Sequence, residues 1–179
     1  KYEIEPALFE RCNKLTQISI PSTIISIGSN AFNNCKSLIS VTIPSSVLFI
    51  HSYAFKCCSF LEEISIPSSI TLISKGSFIG CSSLKKVSIP STVTSIENEA
   101  FSGCISLESI DIPFSVKSID SGAFCECYSL KQINIPNLNC IDEVVFKECY
   151  SLEYILIPSS VVSIKEGAFF GCKSLKSIK

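Results

Sequence analysis

Residues 89–111 read I-P-S-T-V-T-S-I-E-N-E-A-F-S-G-C-I-S-L-E-S-I-D, and this unit recurs in both directions along the chain. Its phenylalanine returns at Phe9, Phe32, Phe55, Phe78, Phe101, Phe124, Phe146 and Phe169. A cysteine follows three residues later each time, from Cys12 and Cys35 to Cys149 and Cys172, and a leucine three residues after that, from Leu15 to Leu175. Proline closes the unit at Pro21, Pro44, Pro67, Pro90, Pro113, Pro136 and Pro158. The period is 23 residues, with one step of 22 between Pro136 and Pro158. The shared pattern is I-P-S-S-V-x-S-I-x-x-x-A-F-x-x-C-x-S-L-x-x-I-x.

A fixed period with fixed apolar columns gives every unit one shape, and stacking turns the columns into ladders through a continuous core. In the second unit the core columns are Ile27, Phe32, Cys35, Leu38, Val41, Ile43 and Val47. Each large side chain gains roughly 1.5–3 kcal/mol on burial. The stretch L-x-x-I-x-I alternates apolar and polar residues and predicts a short strand, which pairs with its copies into a parallel sheet. Proline ends each strand because it has no N–H for the ladder. A shorter extended piece, such as Val93 to Ile96, is expected next, then a single helical turn around Ala-Phe-x-x-Cys. The small column Ala31, Ala54, Ser77, Ala100, Ala123 and Ala168 predicts a tight approach at that turn, from which Val145 departs.

The motif A-F-x-x-C-x-x-L-x-x-I-x-I-P covers nearly the whole chain and resembles the BspA-like leucine-rich repeats of bacterial and protist surface proteins. The resemblance implies one domain over residues 1–179. That domain is a right-handed leucine-rich-repeat solenoid of eight coils, the first and last incomplete, with a parallel β-sheet on one face and single helical turns on the other. It also implies adhesion to host matrix proteins, host cells or other microbes, at the cell surface or outside the cell. It transfers no defined set of binding residues, because repeats specify a scaffold on which a site is grafted. An intracellular scaffold or regulator that docks a protein partner in the cytoplasm is the alternative.

Composition excludes several other functions. The chain is 46% hydrophobic and 17% charged, too apolar for disorder, and its net charge of -1 offers no field for nucleic acid or anionic lipid. No run of about 18 apolar residues predicts membrane insertion. Lys1 to Glu10 carries Glu3 and Glu5 and is no signal peptide, and the start at Lys1 without methionine points to a fragment or a processed chain. Serine is plentiful but periodic, as in Ser22, Ser45, Ser68 and Ser91, which predicts turn and backbone-capping chemistry. His51 is the only histidine, and its column (Gly28, Ser74, Glu97, Asp120, Asp142, Lys165) reads as solvent-exposed. Glu62 and Glu63 read as a solvated face rather than an acid/base pair. No phosphate loop or metal-ligand cluster is present, so neither catalysis nor a cofactor is expected.

Eight of the eleven cysteines lie in the repeat column between two core positions and read as free, buried thiols behaving as small hydrophobes. Cys57, Cys125 and Cys140 fall outside the column and are the candidates for oxidation or pairing, or are incidental surface thiols. Cys125-x-Cys127 lacks the second pair that a zinc site needs. Many free thiols, and the absence of an N-x-S/T acceptor, fit a reducing interior or an oxygen-poor niche.

Binding residues are sought where outward columns break the pattern. Phe49 and Leu72 replace the usual serine of Ser26, Ser95, Ser118 and Ser163, and Ile25 and Leu48 occupy the column beside them. Toward the C-terminus, Tyr128 and Tyr150 share one column, and Tyr154 and Leu156 lie on the coil-seven strand. Both groups are candidate protein-binding patches, and lateral packing within the solenoid is the other reading. The residue after each motif leucine alternates in sign from Glu62 through Lys85, Glu108, Lys131 and Glu153 to Lys176, which predicts an ion ladder along the stack. Neither terminal unit is capped in the sequence, from which a weak homodimer through the terminal coils is expected.

Overall fold

The computed structural model describes residues 2–178. Its strands, in chain order, are β1 (Glu3–Ile4), β2 (Gln17–Ser19), β3 (Ser26–Ile27), β4 (Ser40–Thr42), β5 (Phe49–Ile50), β6 (Glu63–Ser65), β7 (Leu72–Ile73) and β8 (Lys86–Ser88). They continue as β9 (Ser95–Ile96), β10 (Ser109–Ile110), β11 (Ser118–Ile119), β12 (Gln132–Asn134), β13 (Cys140–Ile141), β14 (Tyr154–Leu156), β15 (Ser163–Ile164) and β16 (Ser177–Ile178). Even-numbered strands come from L-x-x-I-x-I and pair in parallel as β2-β4, β6-β8 and β10-β12-β14-β16. Odd-numbered strands, the expected shorter pieces, pair in parallel as β1-β3-β5, β7-β9-β11 and β13-β15. Register advances one repeat per step, as Gln17↔Ser40 and Ser26↔Phe49 show. The chain is therefore a parallel β-solenoid whose apolar columns meet across one core.

That core is the set of ladders expected from the repeat. Phe32, Phe55, Phe101, Phe124 and Phe146 are fully buried, as are Leu38 to Leu152 and Cys35 to Cys149 in their columns. Successive phenylalanine rings stack 5.2–5.9 Å apart from Phe9 to Phe169. Offset stacking at this separation adds to the burial of each ring.

The expected helical turn is absent: no helix occurs among the described residues, and Ala-Phe-x-x-Cys lies in a run of hydrogen-bonded turns. The physical reason is the backbone on either side of each phenylalanine. In the second coil Asn30 and Asn34 have φ of 57° and 59°, a left-handed conformation that a right-handed helix cannot contain. These residues send their N–H groups to the next coil instead, Asn30 to Ser52 O and Asn34 to Lys56 O, as does Phe32 to Ala54 O. The intervening amides close turns within the coil, Ala31 to Gly28 O, Asn33 to Asn30 O and Cys35 to Phe32 O. The turn face is thus a third hydrogen-bonded ladder.

The 22-residue unit loses its residue between Pro136 and Leu138. Elsewhere the residue three after proline closes the turn, as Val116 N–H does to Pro113 O, whereas Leu138 N–H reaches back only to Pro136 O, at 2.7 Å. Such a three-residue turn is a γ-turn. The missing residue is a serine or threonine that caps the preceding coil, as Ser46 does to Ile24 O, Thr92 to Ile70 O and Ser115 to Val93 O. The capping column is therefore the one after Ser22, Ser45, Ser68 and Ser91. Leu138 stands where most coils have valine and Val145 where they have alanine; both are buried and line a void with no room for a water molecule. The shortened coil thus carries larger side chains at two of its core positions.

Candidate functional site

The exposed residues of the odd-strand ladder form the first candidate patch. Phe49 opens β5 and is 57% exposed; Leu72 opens β7 and is 37% exposed. Ile25 and Leu48 are exposed one residue before β3 and β5, and Leu48 N–H donates to Ile25 O, which sets the two side by side. Phe49 also stacks on His51 at 6.1 Å between ring centroids. Tyr2 is exposed in the column of Ile25, and its carbonyl accepts from Ile25 N–H, so the apolar surface runs on into the first coil.

The second group divides in two. Tyr128 and Tyr150 stack face to face at 4.8 Å, half-buried, on the stretch between the turns and the even strands. Their hydroxyls donate to Glu126 and Glu148, and Lys173 lies 4.2 Å over the Tyr150 ring. The hydrogen bond to Glu148 raises the Tyr150 pKa, and desolvation followed by the Glu126 charge raises that of Tyr128. These rings are largely engaged with their own neighbours. Tyr154 and Leu156 instead stand on the outer face of β14, 54% and 68% exposed, with Ile155 buried between them. They form one wall of a concavity of about 730 Å³ floored by β10 and β12.

Sequence reading missed that floor. It holds Ser109, Asp111, Gln132 and Asn134. Asn134 lies in register with Leu156, its Nδ2 donates to Ile112 O at 2.7 Å, and its Oδ1 accepts from Ile112 N–H at 3.0 Å. The available signal was Asp111, an acid in a column that holds Ser19, Thr42, Ser65 and Ser88 before it and Asn134 and Leu156 after it. A single acid among polar neighbours stands out less in a sequence than an apolar residue does.

The charges on the sheet face are pairs rather than a continuous ladder. Lys85 meets Glu62 at 3.5 Å, Lys131 meets Glu108 at 2.7 Å and Lys176 meets Glu153 at 2.7 Å. Each lysine joins the glutamate of the preceding coil, with no second bridge onward among the described residues. At this exposure such pairs contribute little. In the His51 column, His51 and Lys165 are exposed as expected, whereas Ser74, Glu97, Asp120 and Asp142 are half-buried and Gly28 is buried. Glu97 accepts the Lys75 N–H at 2.8 Å, and Asp142 pairs with Lys165 at 2.9 Å, which holds its carboxyl below the ordinary value. Burial, then Asp142 and Glu97, raises Asp120 between them.

All eleven cysteines are free, and six of the eight column thiols are buried as expected, whereas Cys12 and Cys172, each with a coil on one side only among the described residues, are half-buried. Each column thiol from the second coil onward donates to the phenylalanine carbonyl of the preceding coil, as Cys58 does to Phe32 and Cys81 to Phe55, both at 3.2 Å. Burial raises these thiols, Cys35 to about 11 and Cys81 to about 12. Among the described residues no group of three or more His, Cys, Asp or Glu is arranged to hold a metal ion, and no helix is long and apolar enough to cross a membrane.

A parallel solenoid with one apolar repeat per coil and exposed, coil-specific side chains defines a leucine-rich-repeat protein. The BspA type leucine rich repeat region matches residues 2–127 and 94–179, and the chain belongs to this family. No curated protein matches it. Among solved structures, a leucine-rich repeat protein from Bacteroides ovatus is 28% identical with a TM-score of 0.75, covering 98% of this chain and 58% of its own. One from Eubacterium ventriosum is 30% identical with a TM-score of 0.80, covering 90% and 44%. The leucine-rich repeat protein of T. pallidum is 27% identical with a TM-score of 0.65, covering 97% and 71%. This chain thus spans 58% and 44% of the first two.

Proposed function

We propose that this chain is a non-catalytic protein-binding module of a cell-surface protein that adheres to host or matrix proteins. Leucine-rich repeats of this kind generally bind proteins, and the family is generally non-catalytic. The observation that carries the reading is the apolar patch of Ile25, Leu48, Phe49 and Leu72, four large side chains exposed on neighbouring coils. Such clusters mark interaction surfaces, and a hydrogen-bonded stack presents them with little reorganisation. Binding of a panel of purified extracellular-matrix proteins to the immobilised chain tests it. Phe49→Asp with Leu72→Asp weakens capture at least about tenfold, the scale of losing two well-packed anchors, while the melting temperature holds. Undiminished capture by the double variant overturns the patch, and no capture of any matrix protein overturns adhesion.

The free thiols favour a second reading, an intracellular scaffold docking a protein partner in the cytoplasm. Fractionation of the native cells separates the two.

A further inference from the structure

We infer that the concavity over β10, β12 and β14 binds an extended segment of a protein partner through a basic side chain. The cation of that side chain meets Asp111, and its aliphatic stem lies toward Tyr154 and Leu156. The inference rests on the protein-binding reading but uses a different face from the Phe49 patch.

The shape comes from a step in side-chain size. Coils five and six place Ser109, Gln132 and Asn134 outward, and coil seven places Tyr154 and Leu156 there, so an apolar wall rises over a polar floor. The floor is rigid: the Asn134 carboxamide is tied to the Ile112 backbone through both its oxygen and its nitrogen. A preformed floor reduces the ordering cost of binding.

The charge of the occupant follows from what is left uncompensated. At the rim Glu108 is paired with Lys131 and Glu153 with Lys176. Asp111 is exposed and has no ion pair among the described residues, so the net charge of the concavity is negative. Lys176 lies 5.5 Å from the Tyr154 ring centroid. Asp111 and the coil-seven wall are two strand spacings apart, about 9.6 Å. The long stem of lysine or arginine covers apolar surface while its head reaches a carboxylate, which suits this separation of wall and charge. Main-chain groups of an extended segment then face Ser109 and Gln132, whose side chains supply donors and acceptors.

A random heptapeptide phage library panned on the whole chain tests the inference. The expected outcome is enrichment of peptides with Arg or Lys beside an aliphatic residue. A synthetic peptide of the enriched sequence loses about tenfold or more in Kd on Asp111→Asn or on replacing its Arg by citrulline, as expected for one charge-assisted contact. Tyr154→Ala weakens it as well. Unchanged melting of both variants shows that the fold is intact. Enriched peptides without a basic residue, or equal affinity for Asp111→Asn, overturn the inference. So does an oligosaccharide array in which a glycan, and no peptide, binds in a Tyr154-dependent way. Matrix-protein capture that depends on Phe49 and Leu72 but not on Asp111 overturns this inference alone and leaves the protein-binding reading standing.

Discussion

The thiol of Cys104 donates to the carbonyl oxygen of Phe78 in the preceding coil, at 3.3 Å. Burial raises its pKa well above the ordinary 9.0, so it stays a protonated donor and a poor nucleophile. Cys35, Cys58, Cys81, Cys127 and Cys149 share its buried setting, whereas Cys12, Cys57, Cys125, Cys140 and Cys172 are only half-buried. An aromatic disulfide reagent on the native chain should therefore spare those six thiols and label only members of the second group. Full labelling should follow denaturation. Rapid native labelling of Cys104 would contradict the buried ladder.

Phe101 lies between Phe78 and Phe124, 5.4 and 5.5 Å from their ring centroids. Phe101→Ala should cost about 3–5 kcal/mol, because coils on both sides hold the cavity open. Phe169 is only partly buried and stacks on Phe146 alone, so Phe169→Ala should cost less. Denaturant titration compares the two, and equal losses would speak against a cooperative stack.

Gly167 is required by its neighbour. Its φ is +67°, and a Cβ there would lie 3.0 Å from Val144 Cγ1. Val144 is itself a β-branched residue at φ 50°. Gly167→Ala should destabilise by about 1–2 kcal/mol through the left-handed backbone alone, with the contact adding to it. Val144→Gly should relieve its own backbone and remove that contact. The double variant is then more stable than the sum of the single changes predicts, and strict additivity in a thermal double-mutant cycle would count against the contact.

Asp120 gives a pH dependence with a definite sign. Its folded pKa is raised above 3.8 by burial first, then by Asp142 and Glu97. The folded state therefore holds this proton more tightly than the unfolded state, so its contribution to stability falls as pH rises through that range and is lowest near neutrality. Asp120→Asn should raise the melting temperature at pH 7, and its advantage should shrink as pH falls toward 3. The Ser118 hydroxyl opposes the shift by hydrogen-bonding the Asp120 carboxylate, and a lower melting temperature for the variant at pH 7 would mean that this bond outweighs the repulsion.

The period alone determined the stack. Phe, Cys, Leu and Ile at fixed offsets leave a coil only one way to bury its apolar residues, against copies of itself, so coil number, core columns and parallel strands were readable residue by residue. The helical turn was misread because Ala-Phe-x-x-Cys has helical spacing but is flanked by positions such as Asn30 and Asn34. Their left-handed backbone is selected by hydrogen bonds to the next coil, and no single unit contains that partner. The same holds for the thiol donors, the division of the charged column into Glu–Lys pairs and the packing of Leu138 with Val145. The thiol bonds and the charge pairs are relations between residues about one period apart, and Leu138 and Val145 meet only once the shortened coil is packed. The concavity at Asp111 and Tyr154 is a relation across two periods, a step in side-chain size on one face. Only the stacked structure places that step beside an uncompensated charge.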